Sequence, residues 1–294
     1  MSATGRILVG TCNWADHEHF YPPRLPAGER LRHYARFFPL VEVDTTFYGI
    51  AKPQVAARWA ELTPRNFKFN VKAYRSLTMH ERENGKPREA TRDEEHDFMA
   101  LLEPLRDAGK LRAVHYQFPP WFQATPPNMD YVARLVERHP DDQVVVEFRH
   151  RSWAEPERFD QVTELLQEAG MTYCIVDQPQ LGSGSMPPHI AVTSHNLAVV
   201  RFHGQNKRRW YVKGATKSSD RFDYFYTAEE LKEWAADARR LAREAAEVHI
   251  LFNNNRSNYA VVNGLQMAEL LELDYPSPEE AVIREEHRQE ALPL

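Results

Sequence analysis

The chain has 294 residues, with Lys+Arg 37 against Asp+Glu 42, a net charge of −5 and two cysteines. That near balance excludes a nucleic-acid polycation, two cysteines exclude a disulfide framework or a cysteine zinc cluster, and no apolar run reaches the roughly 18 residues of a membrane span. The start of the chain carries no apolar signal core, so the expectation is a soluble cytoplasmic protein of one or two domains with ample length for a large core.

Short apolar or β-branched runs ending in polar residues predict strands, and most are followed by a helical pattern. Ile7-Leu8-Val9 runs into Gly10-Thr11-Cys12-Asn13 and precedes a helix over 29–38. Leu40-Val41-Glu42-Val43-Asp44 precedes a helix over 53–62, opened by Pro53, whose missing N–H costs nothing at a first helical position. Phe67-Lys68-Phe69-Asn70-Val71-Lys72 precedes a helix over 93–108 that stops at Gly109. Leu111-Arg112-Ala113-Val114-His115-Tyr116-Gln117-Phe118 precedes one over 129–138, and Val144-Val145-Val146-Glu147-Phe148-Arg149 one over 157–169. Tyr173-Cys174-Ile175-Val176-Asp177 leads into 178–196, which its glycines and prolines limit to at most a short helix. Leu197-Ala198-Val199-Val200-Arg201-Phe202-His203 precedes a helix expected over 227–247, where Thr227 and Glu230 form a capping box. Val248-His249-Ile250-Leu251-Phe252-Asn253 precedes a last helix over 258–273.

Strands alternating with helices predict an α/β protein with a parallel sheet. Eight such units fit a single (β/α)8 TIM-barrel domain over residues 1–294 with a charged pocket at its C-terminal face. The alternative is an open doubly wound sheet. That fold usually carries G-x-G-x-x-G after its first strand, which Gly10-Thr11-Cys12-Asn13 is not.

The residues resemble the domain-of-unknown-function 72 family, a sugar-isomerase-related family of TIM barrels. The resemblance rests on Val9-Gly10-Thr11-Cys12-Asn13-Trp14, Phe20-Tyr21-Pro22, Val41-Glu42-Val43-Asp44-Thr45-Thr46-Phe47-Tyr48, Trp59 with Thr63-Pro64, and Phe67-Lys68-Phe69 with Val71-Lys72. It continues through Thr78-Met79-His80, Gln117-Phe118-Pro119-Pro120, Glu147-Phe148-Arg149-His150 with Ser152-Trp153, Asp177, Arg201-Phe202-His203-Gly204 and Phe252-Asn253-Asn254, spanning nearly the whole chain in order. It implies a fold and not a reaction. Two rim loops depart from it: 15–19 is shorter than the aromatic stretch expected there, and 205–225 is longer and more basic.

In such a barrel the chemistry sits at the C-terminal strand ends, and strand side chains alternate between faces. Glu42 with Asp44, Lys68 with Asn70 and Lys72, Glu147 with Arg149, and Arg201 with His203 each share a face whose opposite parity is apolar. That polar face is expected inside the barrel, joined by Gln117, Asp177 and Asn253 and, from the first strand, Thr11 and Asn13. The competing explanation is a set of buried structural pairs, Glu147 with Arg149 or Asp177 with Arg201. Read as function, the candidate catalytic residues are Glu42, Lys72, Glu147, Asp177 and His203. The candidate substrate-binding residues are Thr11, Asn13, Trp14, Asp44, Tyr48, Gln117, Arg149, Trp153, Arg201 and Asn253.

Four acids face four bases in this set, which suits a polar substrate with an anionic group. Arg149 and Arg201 are placed to grip carboxylate or phosphate, and a carboxylate and a lysine or histidine to exchange protons. Magnesium calls for a carboxylate-dominated site and zinc for clustered His or Cys. No residues are assigned to a metal, and the cofactor question stays open between none and a divalent ion held by Glu42, Glu147, Asp177 and His203. Trp14, Phe47, Tyr48, Phe118, Trp121, Phe122 and Trp153 give the rim flat rings suited to sugars or bases, with Pro119-Pro120 stiffening the turn before Trp121. Segments 78–92 and 205–221 are candidate lids, the second with Lys207, Arg208, Arg209, Lys213, Lys217 and Arg221 around Trp210 and Tyr211. The sequon at Asn255 is read as idle, His17-Glu18-His19 as weak metal evidence, and Cys12 as a small packing residue.

The leading expectation is an isomerase, epimerase or lyase acting by proton transfer on a small anionic, sugar-like ligand. The alternatives are a metal-dependent nuclease or phosphodiesterase, with nucleic acid as partner through the basic loop, and a non-catalytic binder of an anionic metabolite or nucleic acid. No membrane partner is expected, and protein partners are not assigned.

Overall fold

In the computed structural model, which describes residues 4–17, 20–208, 210 and 221–281, every one of the apolar runs is a strand. They are β1 (Arg6–Cys12), β2 (Leu40–Val43), β3 (Lys68–Lys72), β4 (Leu111–Gln117), β5 (Val144–Glu147), β6 (Thr172–Asp177), β7 (Ala198–Phe202) and β8 (Glu247–Phe252). Each pairs in parallel with the next in the chain, and β8 pairs with β1, closing an eight-stranded barrel. The fold is therefore the (β/α)8 barrel and not the open sheet.

The connecting helices are α1 (Arg30–Tyr34), α2 (Pro53–Leu62), α3 (Arg92–Asp107), α4 (Pro126–Ala133), α5 (Leu135–Arg138), α6 (Pro156–Glu168), α7 (Ala228–Leu241), α8 (Tyr259–Leu270) and the terminal turn α9 (Pro278–Ala281). Three differ from expectation. The helix after β1 is one short piece preceded by a 3-10 turn at Ala27–Glu29. The helix after β4 starts earlier, with Pro126 at its first turn, and breaks at Arg134. The helix after β7 stops at Leu241 rather than 247, because Glu247 already belongs to β8, where it pairs with Arg6. The capping box at Thr227 and Glu230 is present, and α3 carries a second one at Thr91 and Glu94. Between β6 and β7 there is only a 3-10 turn at Gly182–Gly184. Among the described residues no helix is long and apolar enough to cross a membrane.

The alternation of strand side chains divides the core in two. Val41, Val43, Phe69, Val71, Val114, Tyr116, Val146, Val200, Phe202, Ile250 and Phe252 are buried on the helix side. The interior instead holds polar layers. At the N-terminal end, Glu247 accepts from Arg6 at 2.5 Å and from Arg112 at 2.8 Å, and its Oε1 lies 2.8 Å from His249 Nε2. His249 Nδ1 meets Asn70 at 3.0 Å, so this layer plugs the bottom of the barrel.

β1 and β2 approach closely at Gly10. Gly10 pairs with Leu40, and a Cβ on Gly10 would lie 2.2 Å from the Leu40 carbonyl oxygen. No side chain can occupy that point without parting the two strands. Gly10→Ala is expected to lower unfolding free energy by about 3 kcal/mol, at the upper end for overpacking. A urea midpoint equal to wild type would show that the strands can separate at little cost.

Candidate active site at the barrel mouth

The interior layer below the mouth is an ion cluster centred on Arg201 of β7. Its Nη2 lies 2.5 Å from Glu42 Oε1 on β2, and its Nη1 lies 2.5 Å from Glu147 Oε2 on β5. His115 of β4 stands between the same two acids, with Nδ1 2.7 Å from Glu42 Oε2 and Nε2 3.2 Å from Glu147 Oε2. Arg149 reaches back to Glu147, Nε to Oε1 at 2.5 Å. All five side chains are buried. Burial alone would raise both glutamates, but Arg201 and His115 hold Glu42 far below the ordinary carboxylate range, and Arg149 and Arg201 do the same for Glu147. Both acids are therefore fixed anions.

Arg149 also donates to Gln117 at 3.1 Å, to Gln178 at 2.9 Å and, through Nη2, to His203 Nε2 at 2.9 Å. The other ring nitrogen, Nδ1, lies 2.8 Å from Asn253 Nδ2, an amide donor, and Nε2 also lies 3.3 Å from Glu147 Oε1. Burial, and then the charge of Arg149, lower His203 to about 3. It is a neutral ring with both nitrogens engaged.

Above this floor opens a cavity of ≈ 580 Å³. Two of its titratable lining residues come from the ends of β2 and β3. Asp44 follows β2 and Lys72 ends β3, and both are only partly buried. Burial pushes Asp44 up to about 6 against the pull of Lys72. Burial and then Arg201 draw Lys72 below its ordinary value, against Glu42 and Asp44. One cavity thus holds an acid raised and a base lowered by burial, the pattern that marks a candidate site.

One wall is a column of rings and cations. Lys72 Nζ stands 4.8 Å from the centre of the Phe47 ring, which meets His80 edge-on at 4.7 Å. His80 meets Trp121 at 5.8 Å, and Arg82 lies 4.5 Å over the outer face of Trp121. Arg82 belongs to a small hairpin, Arg82–Glu83 with Lys86–Pro87, inside the predicted lid at 78–92. Burial, then Lys72 and Arg149, lower His80 to about 3, so it too is neutral. Tyr48 and Trp121 are exposed at the mouth, at 67% and 42%. Opposite them Trp210 is buried against His203 and Phe222 and lines the cavity together with Arg221.

The structure brings Asn13, Asp44, Tyr48, Lys72, Gln117, Arg149, Arg201 and Asn253 to the cavity. It seats Glu42, Glu147 and His203 beneath it. Four expected site residues stand elsewhere. Thr11 has the helix-facing parity of β1 and bonds to Tyr34 Oη at 3.0 Å, while Cys12 turns inward to Arg201. Asp177 has the helix-facing parity of β6, where it accepts from Tyr226 at 2.5 Å and Gln205 at 2.6 Å, while Cys174 turns inward to Glu147. Its expected pairing with Arg201 is replaced by the two glutamates. Trp14 packs edge-on against Trp59, and Trp153 is buried, stacked on Phe148 and donating to the Phe122 carbonyl. Nor is Arg201 a free anion grip, because both its terminal nitrogens are spent on Glu42 and Glu147. Arg209, Tyr211, Lys213 and Lys217 of the basic loop, with Glu18 and His19, lie outside the described residues.

Other contributors went unread. His115 and His249 share the inward parity of Gln117 and Asn253, and that parity was the signal for them. Asp16 and Asn255 line the cavity from the loops after β1 and β8, with only loop position to announce them. Asn255, read as the residue of an idle sequon, is buried in the wall at 6% exposure.

A divalent ion on Glu42, Glu147, Asp177 and His203 does not fit. Asp177 lies on the other face of its strand, and Arg201 bridges the two glutamates. Among the described residues the ligand atoms of His115, Glu147 and Cys174 lie within 4.8 Å of one another. The same Glu147 oxygen already touches the Arg201 guanidinium, a fixed cation that an ion there would have to adjoin.

With this geometry in view, the likeness to other proteins covers the whole barrel. A family described as "Protein of unknown function DUF72" matches residues 8–288. The UPF0759 protein YunF of Bacillus subtilis is 36% identical over 272 residues, covering 92% of this chain and 96% of that protein. A solved DUF72 family protein of Enterococcus faecalis superposes with a TM-score of 0.82 at 31% identity, over 92% of this chain and 97% of that one. A second, from Thermotoga maritima, gives 0.78 at 32% identity, over 91% and 99%.

The ion cluster makes a direct prediction. Arg201→Met leaves Glu42 and Glu147 buried without their shared cation and is expected to cost about 3–5 kcal/mol at pH 7. Because both acids are depressed in the folded state, that loss shrinks as pH falls below the unfolded glutamate range. Denaturant unfolding at pH 7 and pH 4 checks it. Equal wild-type and variant stability at pH 7 would remove Arg201 from its structural role.

Proposed function

The chain belongs to the DUF72 family, and from the geometry of its barrel mouth we propose that it is an enzyme that moves a proton on a small anionic, sugar-like substrate, of the isomerase, epimerase or lyase kind. The observation that carries this reading is the facing of Asp44 and Lys72 into one cavity, each drawn toward neutrality by burial. The cavity volume of ≈ 580 Å³ lies within the roughly 300–1,000 Å³ of small-molecule sites.

The roles read from sequence move up one layer. Glu42, Glu147 and His203 hold the floor, and Asp44 and Lys72 do the proton chemistry. Arg221 at the rim supplies the positive charge for an anionic group, and Gln117, Asn13 and Asn253 supply neutral hydrogen bonds to hydroxyls. Tyr48 and Trp121 offer ring faces at the opening. The inward turn of Trp210 supports a small ligand over a nucleic acid, since its ring lies against His203 and Phe222 rather than facing solvent as a base-stacking platform.

Asp44 provides two tests. Its folded value of about 6 lies above the unfolded 3.8, so the folded state binds the proton more tightly and loses stability as pH rises from about 4 to 6. Asp44→Asn is therefore expected to be more stable than wild type above pH 6, by up to about 3 kcal/mol, with the advantage gone below pH 4.

For function, phosphorylated and carboxylated sugars are screened by thermal shift, and hits are incubated in D2O. Carbon-bound hydrogen of a hit is expected to exchange at a rate that rises through about pH 6, as Asp44 becomes a base. Asp44→Asn is expected to retain the thermal shift and lose roughly 10²-fold or more in exchange. Exchange unaffected by Asp44→Asn overturns the assignment.

A further inference from the structure

We infer that Lys72 is a covalent group, an amine that forms an imine with the carbonyl carbon of an anionic aldehyde or ketone bound in the barrel mouth. The inference rests on the reading of this cavity as a proton-transfer site and names the class of its substrate.

Three features of placement carry it. Lys72 ends β3 and lines the cavity in which a substrate would bind. Among the described residues its Nζ makes no hydrogen bond or ion pair, although Glu42, Asp44 and Glu147 are near enough to act on its charge. The contact it does make is with a ring face, Phe47 at 4.8 Å. The contrast with Lys110 is instructive: Lys110 is buried, and its Nζ donates to the Ala60 and Thr63 carbonyls at 2.6 and 2.7 Å and to the Thr63 hydroxyl at 3.0 Å. A structural lysine is held by acceptors. Among the described residues the Lys72 nitrogen has no acceptor; it stands over the Phe47 ring, lines the cavity and feels the like charge of Arg201. Such surroundings favour the neutral amine, which is the nucleophile.

The step balances with Asp44 as its proton source. The Lys72 amine adds to the carbonyl carbon, the C–N bond forms, and the carbonyl π pair moves to oxygen. A proton passes from nitrogen to that oxygen, giving a carbinolamine. The Asp44 carboxyl then protonates the hydroxyl, the C–O bond breaks, water leaves, and the nitrogen lone pair closes the iminium. Asp44 ends as a carboxylate beside an iminium whose adjacent C–H is acidified. It can take that proton, with the C–H pair flowing to nitrogen as an enamine. The same acid thus completes imine formation and then serves as the base that isomerisation, epimerisation or carbon–carbon cleavage requires.

The test is reductive trapping. The wild-type protein is incubated with glyceraldehyde 3-phosphate, dihydroxyacetone phosphate and pyruvate in turn, reduced with sodium borohydride, digested and mapped by tandem mass spectrometry. The expected result, with at least one compound, is a reduced adduct at Lys72 at least ten-fold above that at the exposed Lys52 and Lys86, which serve as controls within the same sample. Lys72→Arg should abolish the adduct, and Asp44→Asn should slow its formation about ten-fold. Because the decisive comparison lies within the wild-type chain, poor folding of a variant does not blunt it. A compound that raises the melting temperature yet leaves Lys72 no more labelled than Lys52 and Lys86 overturns the imine and leaves proton transfer standing. Absence of both stabilisation and trapping across the set counts against the imine and against the proposed substrate class together.

Discussion

A single guanidinium between two glutamates organises the interior of this barrel. Glu42 and Arg201 are 159 positions apart in sequence, and Glu147 and Arg201 are 54 apart, yet both pairs close to 2.5 Å. Two carboxylates cannot be buried together without a compensating charge, because desolvation of each costs several kcal/mol and their mutual repulsion adds to it. Arg201 suits the task because its rigid planar fork presents a separate terminal nitrogen to each acid. With His115 between the same acids, strands β2, β4, β5 and β7 are held in register by charge where an ordinary barrel uses packed aliphatic layers. The lower plug around Glu247 repeats the device with Arg6 and Arg112.

That constraint decides where chemistry can occur. Glu42 and Glu147 resemble a catalytic carboxylate pair by residue type, but a carboxylate held far below its ordinary range by direct ion pairs is a poor base and an unavailable acid. Asp44, two residues beyond Glu42 on the same face, escapes the clamp because Arg201 is already spent. Its burial is opposed mainly by Lys72, and the balance leaves it near 6. Lys72 in turn feels Arg201 as a like charge, so the cation that steadies the floor also pulls the lysine toward its neutral form. The structural layer and the proposed reactive layer are thus coupled through one arginine.

Most of the architecture was legible because it is written in local periodicity. Runs of apolar residues marked all eight strands, Pro53 and the box at Thr227 and Glu230 marked helix starts, and period-two alternation placed Glu42, Asn70, Glu147 and Arg201 inside. The same rule carried further than it was taken, since His115 and His249 share that parity. It was misapplied at Thr11 and Asp177, whose polarity was allowed to outweigh their position. A threonine or aspartate on the helix side needs only a nearby partner, here Tyr34 and Tyr226, and sequence does not announce such partners across 23 or 49 positions. Pair identity was beyond reach for the same reason. Arg201 could be foreseen inside the barrel, but whether it met Asp177 or Glu42 depends on which strand ends face one another across the axis. The loop residues Asp16 and Asn255 have no periodicity and could be found only in three dimensions.

The charge count at the mouth has a consequence for any anionic ligand. In the floor, Glu42 and Glu147 offset Arg149 and Arg201, so the clamp adds little net field above itself. The lining is left with Lys72 and Arg221 against Asp16 and Asp44. With Asp44 balanced near 6, a negative group arriving beside it raises its proton affinity further, by the rule that moves two neighbouring carboxylates apart. The bound anion therefore brings a proton onto Asp44 and favours the charged form of Lys72. A neutral carbonyl at the same point leaves the downward pull of burial and Arg201 on Lys72 unopposed by a new charge. A substrate carrying both groups resolves the conflict only if its anion sits outward, toward Arg221, and its carbonyl inward, toward Lys72. For the proposed substrate class, the electrostatics of the pocket would therefore favour that one orientation.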